Sequence, residues 1–219
     1  MERSQQATGR FISLEGGEGT GKSTQAKELA KRLREAGHDV VLTREPGGSA
    51  FGEKLRHVLL ADDAPERSQL AETLAFYAAR ADHLERVIRP ALARGAWVIT
   101  DRFSDSTMAY QGIASAYSAD VIRTLDDLVI GTTKPNLTVI LDLDPVLGLR
   151  RARERAAAAK TAGLDHFEAK DLSFHVALRG AFLDIARQEP ERCVVVDAGI
   201  AESDVANAIW RAVEARLGQ

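Results

Sequence analysis

The stretch LEGGEGTGKST, residues 14–24, decides how the rest of the chain is read. Residues 16–23, GGEGTGKS, satisfy G-x-x-x-x-G-K-[ST]. The pattern lies directly after the apolar run RFISLE (10–15) and opens the helix-like run KSTQAKELAKRLREAG (22–37). At such a strand-to-helix turn it has a mechanical meaning. Glycine lets the backbone pass through positive φ and bring successive N–H groups against phosphate oxygens, where a Cβ would block the approach. A helix starting at Lys22 adds the positive end of its dipole. Gly16, Gly17, Glu18, Gly19, Thr20, Gly21, Lys22, Ser23 and Thr24 are thus the candidate binding residues for the phosphates of a nucleoside triphosphate. In this reading Lys22 reaches the β- and γ-phosphates and Ser23 holds Mg²⁺.

Working outward, short apolar runs recur at RFISLE (10–15), DVVLT (39–43), WVITD (97–101), LTVILDL (137–143) and CVVVDA (193–198). They are nearly continuous in apolar character, as in parallel strands covered on both faces. Amphipathic stretches lie between them. Ala26, Leu29, Ala30 and Leu33 recur at 3-4 spacing before Gly37. A longer stretch, 68–94, carries Leu70, Leu74, Tyr77, Ala78, Ala81, Leu84 and Ile88 on one stripe, with Pro90 expected to bend its end. The predicted fold is therefore α/β: a P-loop NTPase with a three-layer α/β/α build, a five-stranded parallel sheet flanked by helices, in a single domain over 1–219.

The 219 residues suit one domain with a well-buried core. A net charge of −3 gives no global basic field, so no nucleic-acid partner is expected and phosphate binding must be local. No apolar run approaches a membrane span and the first ten residues lack the core of a secretory signal, which points to a cytoplasmic protein without a membrane partner. The single Cys193 reads as a buried strand residue.

A phosphate loop alone names no reaction. The base-reading N-K-x-D of a GTPase is missing from the sequence, and other features suggest a second substrate. FYAAR (76–80) sets Phe76 and Arg80 at i and i+4, an aromatic face and a guanidinium on one side of a helix, which suits a nucleobase. TREPGG (43–48) and DRFSDSTMAYQG (101–112) each place an arginine, Arg44 and Arg102, just after an apolar strand. Ligands of open α/β sheets gather at those strand ends, and arginine forks suit phosphate.

Taken in order, GGEGTGKS, TREPGG, FYAAR, DRF followed by AYQG, and RRARER (150–155) resemble the thymidylate kinases, over nearly the whole chain. That resemblance implies transfer of the γ-phosphoryl of ATP to dTMP, with Mg²⁺. It implies that Phe76 stacks on thymine while Arg80 and Gln111 meet its edge, with Thr107 and Tyr110 nearby. Arg102 and Arg56 would hold the monophosphate, Glu18 would accept the sugar 3′-hydroxyl, Glu45 would lie close to it, and Asp101 would organise the Mg²⁺ shell with Ser23. Adenine contacts are expected from backbone near Asp197 and Ala198 and from a lid arginine. A homodimer packed through helices is also implied, with the long 68–94 helix a candidate.

Members of this family carry a catalytic basic residue either in the phosphate loop or in a mobile lid. The loop here offers Gly17, Glu18, Gly19 and Thr20, none basic, so the chain resembles the subgroup whose lid supplies the charge. Residues 150–171 match that lid. Arg155, then Arg151, are the catalytic candidates beside Lys22 and Arg102, and helix spacing turns Arg153 away. Such an arginine can be worth roughly 10³ to 10⁵ in rate. The sequence departs from the family pattern in DHFE (165–168), where His166 stands for an arginine, in a lid longer by AAAAKTAG, and in Phe103, where tyrosine is frequent. A kinase for another nucleotide, or a nucleotide-binding module without chemistry, remains the alternative at this stage.

Overall fold

The computed structural model describes residues 9–61, 66–114, 119–159 and 167–218. Five parallel strands form one sheet: β1 (Arg10–Glu15), β2 (Val40–Arg44), β3 (Trp97–Asp101), β4 (Leu137–Asp142) and β5 (Cys193–Asp197), in the order β2-β3-β1-β4-β5. Each falls on an expected run, the second displaced by one residue. Phe11, Ile12, Leu14, Val98, Ile99, Val139 and Ile140 are almost wholly buried, because helices cover both faces. Cys193 is buried as expected, and burial pushes its thiol up to about 12.

On one face, α1 (Lys22–Glu35) and α9 (Glu202–Leu217) close the larger part of the core. Ala26, Leu29, Ala30 and Leu33 point inward at their 3-4 spacing, and Gly37, at φ 89°, takes the left-handed turn that follows the helix. On the other face lie α3 (Gln69–His83), α4 (Arg89–Ala93), α5 (Ser104–Ala114) and α8 (Leu172–Gln188). Helix α2 (Ala50–Leu60) packs on α3, α6 (Ala119–Val129) on α5 and α3, and α7 (Pro145–Ala159) on α8.

The long stretch expected as one apolar stripe differs in two ways. Between α3 and α4 the chain makes a π-helical turn, Leu84–Ile88, and Pro90, which has no N–H to return to a preceding carbonyl, follows it immediately. Within α3, Leu74 and Ala78 face outward while Thr73, Tyr77, Arg80 and His83 take the buried side. The stripe is wrong there because the inward face of α3 lines a polar cleft as well as a core.

Strand register aligns the carboxyl ends. Leu14 pairs with Asp101, which pairs with Arg44, and Asp142 pairs with Asp197. The loops after β1, β2 and β3 therefore emerge side by side. Helix α5 is tied beneath them by a mostly buried ion pair: Arg192 Nη1 and Nη2 donate to the two carboxylate oxygens of Asp105 at 2.7 and 2.9 Å, and Nη1 also to Thr138 Oγ1 at 2.6 Å. Among the described residues no helix is long and apolar enough to cross a membrane.

Removing one member of a buried pair strands the other's charge. Arg192→Met is expected to lower unfolding free energy by about 3 kcal/mol, with Asp105→Asn in the same chain recovering part of the loss. Urea melts check this, and a loss well under about 1 kcal/mol would mean the pair contributes little.

Candidate active site

The loop after β1 is bare for two separate reasons. A Cβ at Gly19, whose φ is 67°, would fall 2.0 Å from the carbonyl oxygen of Gly148 in α7, so packing excludes it. At Gly21, φ 87°, a Cβ would meet nothing within 4 Å, and here the left-handed backbone itself selects glycine. Gly21 is the N-cap of α1, among the described residues no side chain caps the first turn, and that turn holds no acidic residue. Its N–H groups and dipole are thereby left to an anion. Lys22 Nζ donates to Gly17 O at 2.7 Å and Gly16 O at 3.1 Å. Burial and the neighbouring Arg102 press its ammonium down to about 8, against the opposing pull of Glu18, Asp101 and Glu15. Ser23 Oγ donates to Asp101 Oδ2 in a very short contact, which brings two hard oxygen atoms from α1 and β3 together.

The turn after β3 is strained. Arg102 has φ 70°, a conformation that costs of order 1–3 kcal/mol outside glycine. Backbone bonds hold it on both sides: its N–H donates to Leu14 O at 3.0 Å, and its carbonyl accepts from Thr100 Oγ1 at 2.8 Å. The next N–H, of Phe103, donates to Glu15 Oε1 at 2.7 Å, and Ser106 Oγ donates to Glu15 Oε2 at 2.6 Å. The strained turn aims the Arg102 guanidinium back at the phosphate loop, donating to Glu18 Oε1 at 2.8 Å and Gly16 O at 3.1 Å. Tyr110 OH also donates to Glu18 Oε1, at 2.6 Å. Burial lifts the Tyr110 hydroxyl well above its usual value, so it remains a donor. Burial would raise Glu18 too, but Arg102, Lys22 and the Tyr110 hydroxyl outweigh it and hold the carboxylate at about 2.

Beyond the loop opens a cleft of about 360 Å³. It gathers Glu18, Gly19, Thr20, Gly21, Lys22, Ser23 and Thr24 with Asp101, Arg102, Glu45, Arg56, Phe76, Arg80, Thr107, Tyr110, Gln111 and Arg155. Gly16 and Gly17 line a smaller cavity behind the loop instead. Phe76 stands with Tyr110 and Phe167 as an aromatic wall, the Phe76 and Phe167 centroids 6.4 Å apart. Arg80, only 2 % exposed, donates from Nε to Glu45 Oε2 at 2.8 Å and from Nη2 to Thr107 Oγ1 at 2.9 Å, while Nη1 has no partner among the described residues. Gln111 donates to Glu72 Oε1, Arg56 to Pro46 O, and Arg44 pairs with Glu53 at the rim. Glu45 lines the cleft, but its two oxygens are taken by Arg80 and His83.

The arginines of α7 diverge. Arg155 reaches the cleft and donates to Glu168 Oε1 at 2.5 Å. Arg151 turns toward β5 and donates to Ala198 O at 3.0 Å, so the expectation that the two share one direction does not describe their guanidinium groups. Arg153 is exposed. His166 and the second half of the AAAAKTAG insertion, residues 160–163, lie outside the described residues.

The family model for thymidylate kinase matches residues 14–209. The chain is 53% identical over 210 residues to a thymidylate kinase of Caulobacter vibrioides, covering 96% of this chain and 98% of that protein. It is 49% identical over 209 residues to one from Bradyrhizobium sp. (strain ORS 278), covering 95% and 91%. The crystal structure of thymidylate kinase from Ehrlichia chaffeensis superposes with a TM-score of 0.74 at 33% identity, covering 94% of this chain and 99% of that one.

Glu15 and His83 join the site without a motif that announced them, whereas Glu168 is the last residue of the DHFE stretch already singled out. A charged residue ending an otherwise apolar strand, and a histidine three positions after Arg80, were the only signals available. Glu15 is fully buried, and burial, reinforced by Asp105, pushes its carboxyl up from 4.5 to about 8 against the bonds from Ser106 and Phe103. A raised folded pKa means that the contribution to stability is complete below 4.5 and is lost as pH rises through about 8. Glu15→Gln is therefore expected to flatten the fall in unfolding free energy across that window, by up to about 1.4 kcal/mol per pH unit. Urea midpoints at several pH values measure it; parallel slopes in the two proteins would show that Glu15 is ionised throughout.

Proposed function

The chain belongs to the thymidylate kinase family, and from that premise we propose how its cleft divides the work of phosphorylating dTMP. As a nucleotide kinase it transfers the γ-phosphoryl of ATP to dTMP, giving dTDP and ADP. The observation that carries the site reading is the 2.8 Å bond between Arg102 and Glu18, which joins the acceptor side of the cleft to the donor loop.

An oxygen of the dTMP phosphate attacks the γ-phosphorus. The bond from that phosphorus to the bridging oxygen breaks, and its electron pair leaves with ADP. The attacking phosphate is already a dianion near neutral pH, so positioning and charge neutralisation supply the catalysis. Lys22 and the first-turn N–H groups of α1 hold the β- and γ-phosphates. Arg102 and Arg56 hold the acceptor phosphate, and Arg155, kept at the cleft by Glu168, meets the charge on the transferred group. Ser23 and Asp101 offer the hard oxygen set that Mg²⁺ takes, directly or through water, and the bound ion would neutralise phosphate charge. Phe76 stacks on thymine, Arg80 and Gln111 meet its carbonyl edge beside Thr107 and Tyr110, and Glu18, ionised at neutral pH, accepts the 3′-hydroxyl. Glu45 serves this set by orienting Arg80. Arg151, beside Ala198, is on the adenine side.

The chain acts as one domain whose segment 150–171 closes over both nucleotides and excludes water. It works in the cytoplasm, as a homodimer. Phe51, Val58 and Leu74, each about half exposed on the packed pair α2 and α3, supply the apolar face such a dimer would cover.

In a coupled assay over a panel of monophosphates, dTMP is expected to be the best acceptor. Lys22→Ala should abolish turnover yet leave dTMP binding, and Arg155→Ala should lower kcat by about 10³ with little change in KM. An effect of Arg155→Ala confined to KM would remove it from the transition state. Sedimentation velocity tests the assembly: a single monomer boundary at micromolar concentration would refute the dimer.

A further inference from the structure

His83 is 0 % exposed at the last position of α3, three residues after Arg80, and no step of the reaction above uses it. Its Nδ1 lies 2.9 Å from Glu45 Oε1 and its Nε2 2.7 Å from Thr43 Oγ1. An ionised carboxylate only accepts, so Nδ1 carries the proton. The site is closely built: a Cβ at Gly48 would fall 2.3 Å from His83 Nε2 and 2.6 Å from Thr43 Oγ1. Glu45 is anchored in turn, its N–H donating to Asp101 O at 2.9 Å.

The carboxylate of Glu45 is thus split, one oxygen to His83 and the other to Arg80 Nε. Left to itself, a carboxylate beside an arginine closes side-on over two nitrogens. This chain contains that arrangement, since Arg179 gives Nε and Nη2 to the two oxygens of Asp142 at 2.6 and 2.8 Å. The same closure at Arg80 would set Glu45 against Thr107 for Nη2 and turn the guanidinium plane. With the split, Nη2 stays on Thr107, the plane stays over the Tyr77 and Phe103 rings, and Nη1 remains a buried donor without a partner among the described residues. A buried unpaired donor is costly, and a substrate carbonyl is the group that would satisfy it.

We infer that His83 is a positioning residue for acceptor recognition: by holding Glu45 Oε1 it stops the carboxylate from closing over Nε and Nη2 of Arg80, keeps Nη2 on Thr107, and so fixes the guanidinium orientation in which Nη1 meets a carbonyl oxygen of the pyrimidine. The inference rests on the assignment of Arg80 to the base edge. It predicts selectivity for a base that presents a carbonyl there over one that presents an amino group, because an arginine can only donate.

Steady-state kinetics of the full chain with dTMP and dCMP test it, using His83→Leu, His83→Asn and Arg80→Met. His83→Leu is expected to raise KM for dTMP about tenfold, within the worth of one charge-assisted hydrogen bond, and to narrow the preference for dTMP over dCMP. The kcat and the KM for ATP should stay within about twofold. His83→Asn, whose amide N–H can reach Glu45, should restore most of the KM. An unchanged KM for dTMP in His83→Leu, or a general loss of kcat and Tm that asparagine does not rescue, would overturn the inference. If Arg80→Met leaves that KM unchanged, the base-edge assignment itself has failed; if it raises the KM while His83→Leu does not, only the role of His83 has. Should His83→Leu not fold, Thr43→Val carries the test, with a smaller rise in the same KM expected and no rise overturning the inference.

Discussion

The carboxyl group of Glu15 joins two pieces of backbone that the sequence keeps far apart. It ends β1, immediately before the phosphate loop, and it accepts the N–H of Phe103 and the hydroxyl of Ser106 at the start of α5. Between those two anchors and the register of β1 against β3, Arg102 has no freedom to relax its left-handed backbone. The loop after β1 and Arg102 are therefore set relative to one another by hydrogen bonds to main chain and not by the long side chain alone. That is the kind of preorganisation a phosphoryl-transfer site needs, since its charges must be in place before the reaction begins.

Four arginines of the cleft follow a common plan. Arg102 is met by Glu18, Arg80 by Glu45, Arg44 by Glu53 and Arg155 by Glu168. A chain with a net charge of −3 can in this way concentrate guanidinium groups around a cleft without a basic surface. Each acidic partner also limits where its cation can go. The two most buried pairs, at Arg102 and Arg80, therefore work as alignment devices.

What the sequence made legible is what local spacing encodes. The apolar runs became the five strands to within a residue or so, and the phosphate loop lies where a strand-loop-helix reading puts it. The quoted motifs named a family that the comparisons show. Illegible were the partnerships across long separations: Glu15 with Ser106, 91 residues apart, and His83 with Glu45, 38 apart. The outward Leu74 was misjudged because an apolar count cannot tell a helix face that lines a polar cleft from one that lines a core. The direction of Arg151 depends on a carbonyl 47 residues away, which helix spacing does not see.

The π-helical turn at Leu84–Ile88 bears on how much change this part of the chain tolerates. Such a turn holds one residue more than an α-helical turn, and one residue corresponds to about 100° of rotation about the axis. The surplus residue acts as a phase adjuster: upstream, Arg80 lines the cleft and His83 holds Glu45 behind it, while downstream Leu84, Ile88 and Ala91 address the core under β1 and β3. Single-residue deletions here would set those two faces out of step, whereas like-sized substitutions would not, so the length of this segment is more tightly constrained than its composition.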